Sequence, residues 1–249
     1  MALLDMQGIE VEFSGFRALR GLELSVQPGE LRCVIGPNGA GKTTALDVIC
    51  GKVKPSSGEI RFDGQRIERM EEHRIARLGV GRKFQVPSVF RELTVRDNLQ
   101  VAWCKKLSVF ANLATKVRGA SDEELLKLAE FVGLKHQFDQ PAGTLSHGQT
   151  QWLEIAMLMA QNARLFLLDE PTAGMTASET LKTADLCKRL RGRHTLIVVE
   201  HDMGFIKEIG DIISVMHQGR LLAEGTVSEI EANPDVRQAY LGSGGISGA

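Results

Sequence analysis

The opening of the chain alternates hydrophobic and polar positions with the period of a β-strand. Residues 7–13 and residues 22–26 both place hydrophobic side chains at alternate positions, which is typical of half-exposed strands. Ser14-Gly15 follows the first segment and Pro28-Gly29 follows the second, and residues of these types end strands. Residues 59–62 predict another strand, which leads into a tight turn. The pattern therefore predicts a β-rich opening to the chain.

Three segments made up mostly of hydrophobic residues predict buried strands. They are residues 31–35, 165–168 and 195–199. Asp169-Glu170 directly follow the second segment, and Glu200-His201-Asp202 follow the third. Open α/β sheets bind ligands beyond the carboxyl ends of their strands, so this arrangement predicts an α/β fold with a site at that edge. Shorter patterns predict two further β-elements, a strand at 79–84 that leads to Gln85 and a hairpin at 212–224.

Helical signals begin near residue 86 and dominate the middle of the chain. We predict a helical lobe over roughly 86–160, within which Ser146 opens a long helix with hydrophobic residues on one face. Capping boxes pair a Ser or Thr with a Glu or Gln three residues later and mark helix starts. They begin at Ser121, Ser146, Thr176 and Thr226. The final residues, 243–249, are rich in glycine and serine and predict a flexible tail after a single domain at 1–242.

The composition narrows the class of protein without identifying it. The chain has 249 residues, of which 43% are hydrophobic and 24% charged, and its net charge is −1. Nucleic-acid binding needs a basic surface, so this balance predicts no nucleic-acid partner. The four cysteines are far apart and lack metal-ligand spacing. No signal peptide and no hydrophobic run of about 18 residues are evident, which predicts a cytoplasmic chain that does not itself cross a membrane.

The stretch from Gly36 to Thr43 predicts a phosphate-binding loop. A strand, a glycine-rich turn and then Gly-Lys-Thr opening a helix form the arrangement that cradles nucleotide phosphates. Glycines let backbone N–H groups converge on an anion, and the first turn of the helix adds a partial positive charge. Lys42 supplies a full charge for the β- and γ-phosphates, and the Thr43 hydroxyl is suited to Mg²⁺. The predicted nucleotide-binding residues are Asn38, Gly39, Ala40, Gly41, Lys42, Thr43 and Thr44.

Polar residues at the other strand ends complete the predicted site. Asp169 is suited to hold Mg²⁺, directly or through water, and Glu170 to polarise an attacking water. His201 follows a third strand. Taken alone, this position favours a structural histidine, and a contact with the same γ-phosphate is the alternative. An aromatic ring just before the loop is expected to stack on adenine. Phe13 is preferred for this role and Phe16 is the alternative.

These motifs, in this order, resemble the ATP-binding subunits of ABC transporters from about Met6 to Gly242. The resemblance rests on the phosphate loop, Gln85, Leu145-Ser146-His147-Gly148-Gln149, the segment 165–170 and His201. It implies a P-loop NTPase fold with a RecA-like core, an antiparallel β-subdomain and an inserted α-helical subdomain. It also implies that two such subunits meet head to tail and sandwich two ATP molecules.

The resemblance also implies a role for individual residues. Gln85 resembles the glutamine that contacts Mg²⁺ and water and links to the membrane subunit, Glu170 the general base and His201 the switch histidine. Ser146, His147, Gly148 and Gln149 resemble the signature motif that grips the γ-phosphate bound to the other subunit. The implied partners are a second ATP-binding subunit, two membrane permeases and, indirectly, a substrate-binding protein. The implied location is the inner face of the cell membrane.

Within this superfamily the chain is most similar to subunits of branched-chain amino acid and urea importers. Residues 81–85, 173–176 and 200–205 especially resemble the urea type. Two positions depart from the usual superfamily pattern: His147 replaces a glycine of the signature and Thr176 replaces an aspartate. The His147 side chain either points away from the phosphate or donates an extra contact to it. Soluble ATPases of cofactor assembly and ATPases of lipid or lipopolysaccharide export are the alternative functions.

Overall fold

The computed structural model describes residues 1–83, 89–104 and 120–241, so Gln85 and the predicted tail at 243–249 lie outside the described residues. The first sheet is antiparallel and has the strand order β2-β1-β4-β5. Its strands are β1 (Leu4–Phe13), β2 (Phe16–Val26), β4 (Ser57–Phe62) and β5 (Gln65–Arg66). This sheet confirms the β-rich opening that the alternating pattern predicts.

A second sheet of six strands has the order β10-β9-β3-β8-β7-β6 and is parallel except for β10. Its strands are β3 (Leu31–Ile35), β6 (Val80–Lys83), β7 (Leu165–Asp169), β8 (Thr195–Val199), β9 (Ile212–His217) and β10 (Arg220–Gly225). Every residue of β3, β7 and β8 is buried, because helices and the first sheet cover both faces. These mostly hydrophobic segments therefore form the centre of an α/β core.

The register of the parallel strands brings three strand ends to one edge of the sheet. Val34 of β3 and Asp169 of β7 both pair with Val199 of β8. The glycine-rich loop, Glu170 and Glu200 each follow one of these strands, so they emerge side by side at the carboxyl edge. This is the edge at which the strand pattern predicts a site.

Nine α-helices lie within the described residues. They are α1 (Lys42–Ile49), α2 (Glu72–Leu78), α3 (Val95–Cys104), α4 (Asp122–Phe131), α5 (His147–Ala160), α6 (Ala177–Leu190), α7 (Met203–Ile209), α8 (Val227–Ala232) and α9 (Pro234–Leu241). All four predicted capping boxes are present, and they begin α4, α5, α6 and α8. The sequence analysis did not predict α2, α7 and α9, because each has only two turns and shows little hydrophobic periodicity.

Helix α5 connects the helical region to the sheets. Ten of its 14 residues are buried, and its side chains share one hydrophobic cluster with α3, α4, β7 and β8. Trp152 of α5 also donates a hydrogen bond to the Thr183 hydroxyl of α6, at 2.9 Å. Ser146 thus stands at the start of a helix that is rigidly packed along its length. None of the described helices is long and apolar enough to cross a bilayer.

Candidate nucleotide-binding site

The loop from Gly36 to Gly41 passes so close to neighbouring strands that only glycine fits at two positions. A Cβ atom on Gly36 would overlap the backbone carbonyl of Met216 in β9. A Cβ atom on Gly41 would lie 2.8 Å from the carbonyl oxygen of Ala18 in β2, and the φ angle of Gly41 is 100°. Both glycines therefore let the loop pack closely against β9 and β2 at this edge of the sheet.

The start of α1 is suited to hold an anion. Gly41 is its N-cap and supplies no side-chain acceptor for the first amide groups of the helix. The Lys42 ammonium folds back and donates to the carbonyl oxygens of Gly36, at 2.8 Å, and Pro37, at 3.1 Å. Unpaired helix amides and a lysine over the same loop form a site for a phosphate group.

The charges beside Lys42 are the two carboxylates predicted from the end of β7. Burial lowers the pKa of Lys42, whereas the nearby negative charges of Glu170 and Asp169 raise it. Val34, which leads into the loop, and Asp169 both pair with Val199, so the loop that bears Lys42 and the two carboxylates emerge at neighbouring strand ends. The structure therefore brings together the predicted phosphate-binding lysine, the predicted metal ligand and the predicted base.

Asp169 is only 3% exposed and lies beside a buried arginine that the sequence analysis did not single out. Nη2 of Arg82 lies 3.5 Å from Oδ2 of Asp169, and Nη1 of Arg82 contacts Asp47 in α1. Arg82 thus joins the strand that ends at the site to the helix that follows the phosphate loop. The sequence offered one signal for this role: Arg82 is a charged residue inside the short strand β6, three positions before Gln85.

Glu170 and His201 meet at the same edge. Nδ1 of His201 lies 3.6 Å from Oε1 of Glu170, and both side chains reach solvent. Glu170 has a φ angle of 46°, a backbone conformation that a non-glycine residue adopts only when surrounding contacts enforce it. Its amide donates to the Val199 carbonyl of β8 at 2.9 Å, which fixes this turn.

A buried carboxylate, Glu200, organises the backbone around this pair, and sequence reasoning missed it. Glu200 is 1% exposed and accepts hydrogen bonds from the Thr172 hydroxyl, from the Thr172 amide at 3.1 Å and from the His201 amide at 3.0 Å. It therefore connects the turn after Glu170 with the segment that bears His201. The only feature of the sequence that pointed to a role for Glu200 was its position directly after a buried strand.

Both candidate adenine-stacking rings are exposed near the phosphate loop. Phe13 ends β1 and Phe16 begins β2, where they pair directly across the hairpin. Phe13 is 46% exposed and Phe16 is 60% exposed. Gly41 packs against Ala18 two residues further along β2, so this hairpin borders the loop. The geometry is compatible with either ring, and the preference for Phe13 remains a prediction.

The predicted signature residues contact another part of the same chain. Ser146 caps α5 by accepting a hydrogen bond from the Gln149 amide, and its hydroxyl donates to Oε1 of Glu179 in α6 at 2.9 Å. Nε2 of His147 lies 3.0 Å from the carbonyl oxygen of Ala173. His147 therefore contacts a residue three positions before Thr176, the other position that departs from the superfamily pattern.

Comparison with known proteins identifies the family. Residues 19–173 match the model of the ABC transporter family, and residues 220–246 match the model described as branched-chain amino acid ATP-binding cassette transporter. The first match covers more than half of the chain. The chain belongs to the family of ABC transporter ATP-binding proteins.

Two relatives of known description match almost the whole chain. It is 40% identical to the high-affinity branched-chain amino acid transport ATP-binding protein BraF of Pseudomonas aeruginosa, across 96% of this chain and 98% of that protein. It is 39% identical to the corresponding protein LivG of Escherichia coli, again across 96% and 98%.

The fold is shared with solved structures of the same family. The ADP conformation of an ATP-binding cassette of an ABC transporter is 30% identical, has a TM-score of 0.84, and is matched across 97% of this chain and 99% of that one. A dimeric cassette in a post-hydrolysis state, bound to ADP and Pi, is 25% identical with a TM-score of 0.75, across 90% and 98%. These similarities confirm the resemblance and the P-loop NTPase fold that the motifs predict.

Proposed function

We propose that this chain is the ATP-hydrolysing subunit of an importer of branched-chain amino acids. The observation that supports it most directly is the grouping of Lys42, Asp169 and Glu170 beside an uncapped helix start. Phosphoryl transfer to water requires groups that bind the phosphates and a base that orients the water, and this grouping supplies both. The link between this chemistry and amino acid transport comes from the relatives, which are described as branched-chain amino acid transport ATP-binding proteins.

The phosphate loop binds ATP in this proposal, and its neighbours hold a metal ion. The amides from Asn38 to Thr44 and the Lys42 ammonium contact the β- and γ-phosphates. Thr43 and Asp169 offer hydroxyl and carboxylate oxygens, the ligand types that Mg²⁺ prefers, with Gln85 as the third candidate ligand. When bound, Mg²⁺ neutralises charge that develops on the phosphates. Phe13 or Phe16 stacks on the adenine ring.

Glu170 and His201 act on the attacking water. Glu170 accepts a hydrogen bond from this water and takes its proton, since its carboxylate is partly exposed at the strand edge. His201 lies close enough to Glu170 to orient it and to contact the γ-phosphate. Glu200 holds the backbone on which both depend, through its hydrogen bonds to Thr172 and to the His201 amide.

Ser146 and its neighbours contact the ATP that is bound by a second subunit, and not the ATP that is bound by their own subunit. The described contacts of Ser146 and His147 go to α5, α6 and the turn 171–176, and not to the phosphate loop at 36–44. Ser146, Gly148 and Gln149 sit at the start of α5, where helix amides attract an anion. A related cassette is dimeric with ADP and Pi bound. Two subunits, identical or sister, therefore close around ATP.

ATP-driven closure moves the membrane partners of the complex. Those partners are two permeases, contacted through Gln85 and the segment that follows it, and they receive solute from a substrate-binding protein. The chain works at the cytoplasmic face of the membrane. Urea or a short amide is the second candidate substrate, favoured by the resemblance of residues 173–176 and 200–205 to urea-type subunits.

Uptake measurements in the source cell test this proposal. Deleting the gene is expected to abolish high-affinity uptake of labelled leucine, and the wild-type gene is expected to restore it. A gene with Lys42→Ala is expected to fail, because the phosphate-binding charge is gone. Loss of urea uptake instead of leucine uptake favours the second candidate. Unchanged uptake of both solutes contradicts the proposed function.

A further inference from the structure

The hydroxyl group of Ser146 has one proton, and Glu179 of the same subunit receives it. The Ser146 oxygen accepts from the Gln149 amide at 3.2 Å and donates to Oε1 of Glu179 at 2.9 Å. A serine hydroxyl has a single donor hydrogen. Ser146 therefore cannot donate to a phosphate oxygen while it donates to Glu179.

Glu179 is held in place for this contact by a second set of hydrogen bonds. Its other oxygen, Oε2, accepts from the Thr176 amide at 3.0 Å and from the Thr176 hydroxyl at 2.9 Å, which forms the capping box of α6. These bonds, with the bond from Ser146, keep the pKa of Glu179 below its usual range, so the carboxylate is charged at neutral pH.

The start of α5 is shaped to accept Glu179. A Cβ atom on Gly148 would lie 2.6 Å from Oε1 of Glu179, so only glycine lets the carboxylate approach this closely. His147 reinforces the contact, since its ring lies 3.0 Å from the carbonyl oxygen of Ala173 in the adjoining turn. The signature residues and the start of α6 therefore form one closely fitted contact within the subunit.

We propose that Glu179 is a positioning residue that holds the Ser146 proton inside the subunit until the partner's ATP displaces it. The inference rests on the proposed function, in which Ser146 binds the γ-phosphate of the other subunit. The arriving phosphate must take the proton that Glu179 accepts, and it must approach a carboxylate of the same sign. Glu179 thereby raises the ATP concentration that closes the dimer.

Glu179→Gln separates this role from helix capping. Glutamine also forms capping boxes, so the start of α6 is preserved. The side-chain amide of glutamine has one oxygen and one NH₂ group. When the oxygen accepts the hydrogen bonds from Thr176, the NH₂ group faces Ser146. Ser146 must then accept a hydrogen bond there, and its own proton is free for the phosphate. The substitution also removes the negative charge.

The chain contains a matched control. Thr226 and Glu229 begin α8 with the same capping box, in which Oε2 of Glu229 accepts from the Thr226 amide at 2.7 Å and from its hydroxyl at 2.9 Å. The contacts described for the signature residues go to Glu179 and not to Glu229. Glu229→Gln therefore changes an equivalent cap without touching Ser146.

The experiment measures the ATP concentration that gives half-maximal dimer, by light scattering, in a chain that carries Glu170→Gln to prevent turnover. The sister ATPase is added if the chain alone does not dimerise. We expect Glu179→Gln to lower this midpoint roughly three- to tenfold, the effect of about one hydrogen bond, and Glu229→Gln to leave it unchanged. In a double-mutant cycle with Ser146→Ala, the gain from Glu179→Gln should become smaller, because only the effect of removing the negative charge is left.

The outcomes distinguish this inference from the function on which it rests. A dimer whose midpoint is unaltered or raised by Glu179→Gln, relative to Glu229→Gln, overturns the inference alone. A gain that is undiminished with Ser146→Ala also overturns it, because no part of the effect then acts through the serine. If Glu179→Gln unfolds, Glu179→Asp replaces it, since the shorter side chain withdraws from Ser146 and should also lower the midpoint. Absence of an ATP-driven dimer in every variant contradicts the proposed function itself.

Discussion

The buried guanidinium of Arg82 is expected to be a large contributor to the stability of the nucleotide-binding edge. The Arg82 side chain is 6% exposed, and it lies between Asp47, whose side chain is 16% exposed, and Asp169, whose side chain is 1% exposed. Replacement by leucine keeps much of the volume but removes the positive charge. Both carboxylates then lose a counter-charge in a region with little water.

The size of the effect follows from this burial. Removing one partner of a buried ion pair typically costs about 3 to 5 kcal/mol, because an uncompensated charge stays in the interior. For a chain of this length, each kcal/mol lowers the melting temperature by about 2 to 4 °C. Arg82→Leu is therefore expected to lower the melting temperature by about 6 to 20 °C.

Thermal unfolding followed by circular dichroism measures the shift, and a surface pair supplies the control. Arg164 lies 2.6 Å from Asp63, but these side chains are 49% and 53% exposed. Exposed pairs contribute about 1 kcal/mol or less, so Arg164→Leu should lower the melting temperature by at most about 4 °C. Equal shifts for the two variants would refute the argument that burial decides the contribution of Arg82.

Two further predictions concern the nucleotide itself. Lys42→Ala should abolish detectable Mg-ATP binding in a calorimetric titration, because the loop loses its full positive charge; unchanged affinity would show that another loop binds the phosphates. Phe13→Ala should weaken ATP binding by about 1 to 3 kcal/mol, the usual range for base–aromatic stacking. If Phe16→Ala weakens binding and Phe13→Ala does not, the stacking residue is Phe16.

Much of the fold was predictable because its signals are local. The mostly hydrophobic segments at 31–35, 165–168 and 195–199 form the buried strands β3, β7 and β8, and a sheet covered on both faces requires such segments. The capping boxes at Ser146 and Thr176 were predictable for the same reason, since each is complete within four residues.

The parts of the site that were missed depend on contacts between distant segments. Glu200 accepts hydrogen bonds from Thr172, 28 positions away, and Arg82 reaches Asp47, 35 positions away. Glu179 was predicted only as the partner of Thr176 in a capping box, and its contact with Ser146 spans 33 positions. No local pattern reveals which buried charges will meet, because that depends on how the strands and helices pack.

Glu170→Gln tests whether ATP is bound between two subunits. This substitution preserves the size of the side chain but removes the base, which typically contributes about 10²- to 10⁴-fold to the rate. The variant should therefore accumulate as an ATP-bound dimer, with itself or with a sister ATPase, and light scattering should report twice the mass of a single subunit.

Adding Ser146→Arg to Glu170→Gln completes this measurement. We expect the dimer to disappear while each subunit still binds ATP, because the bulky side chain obstructs only the phosphate that arrives from the partner. If Ser146→Arg prevents ATP binding by the single subunit, the signature residues act on the nucleotide of their own chain, and ATP is not shared between two subunits.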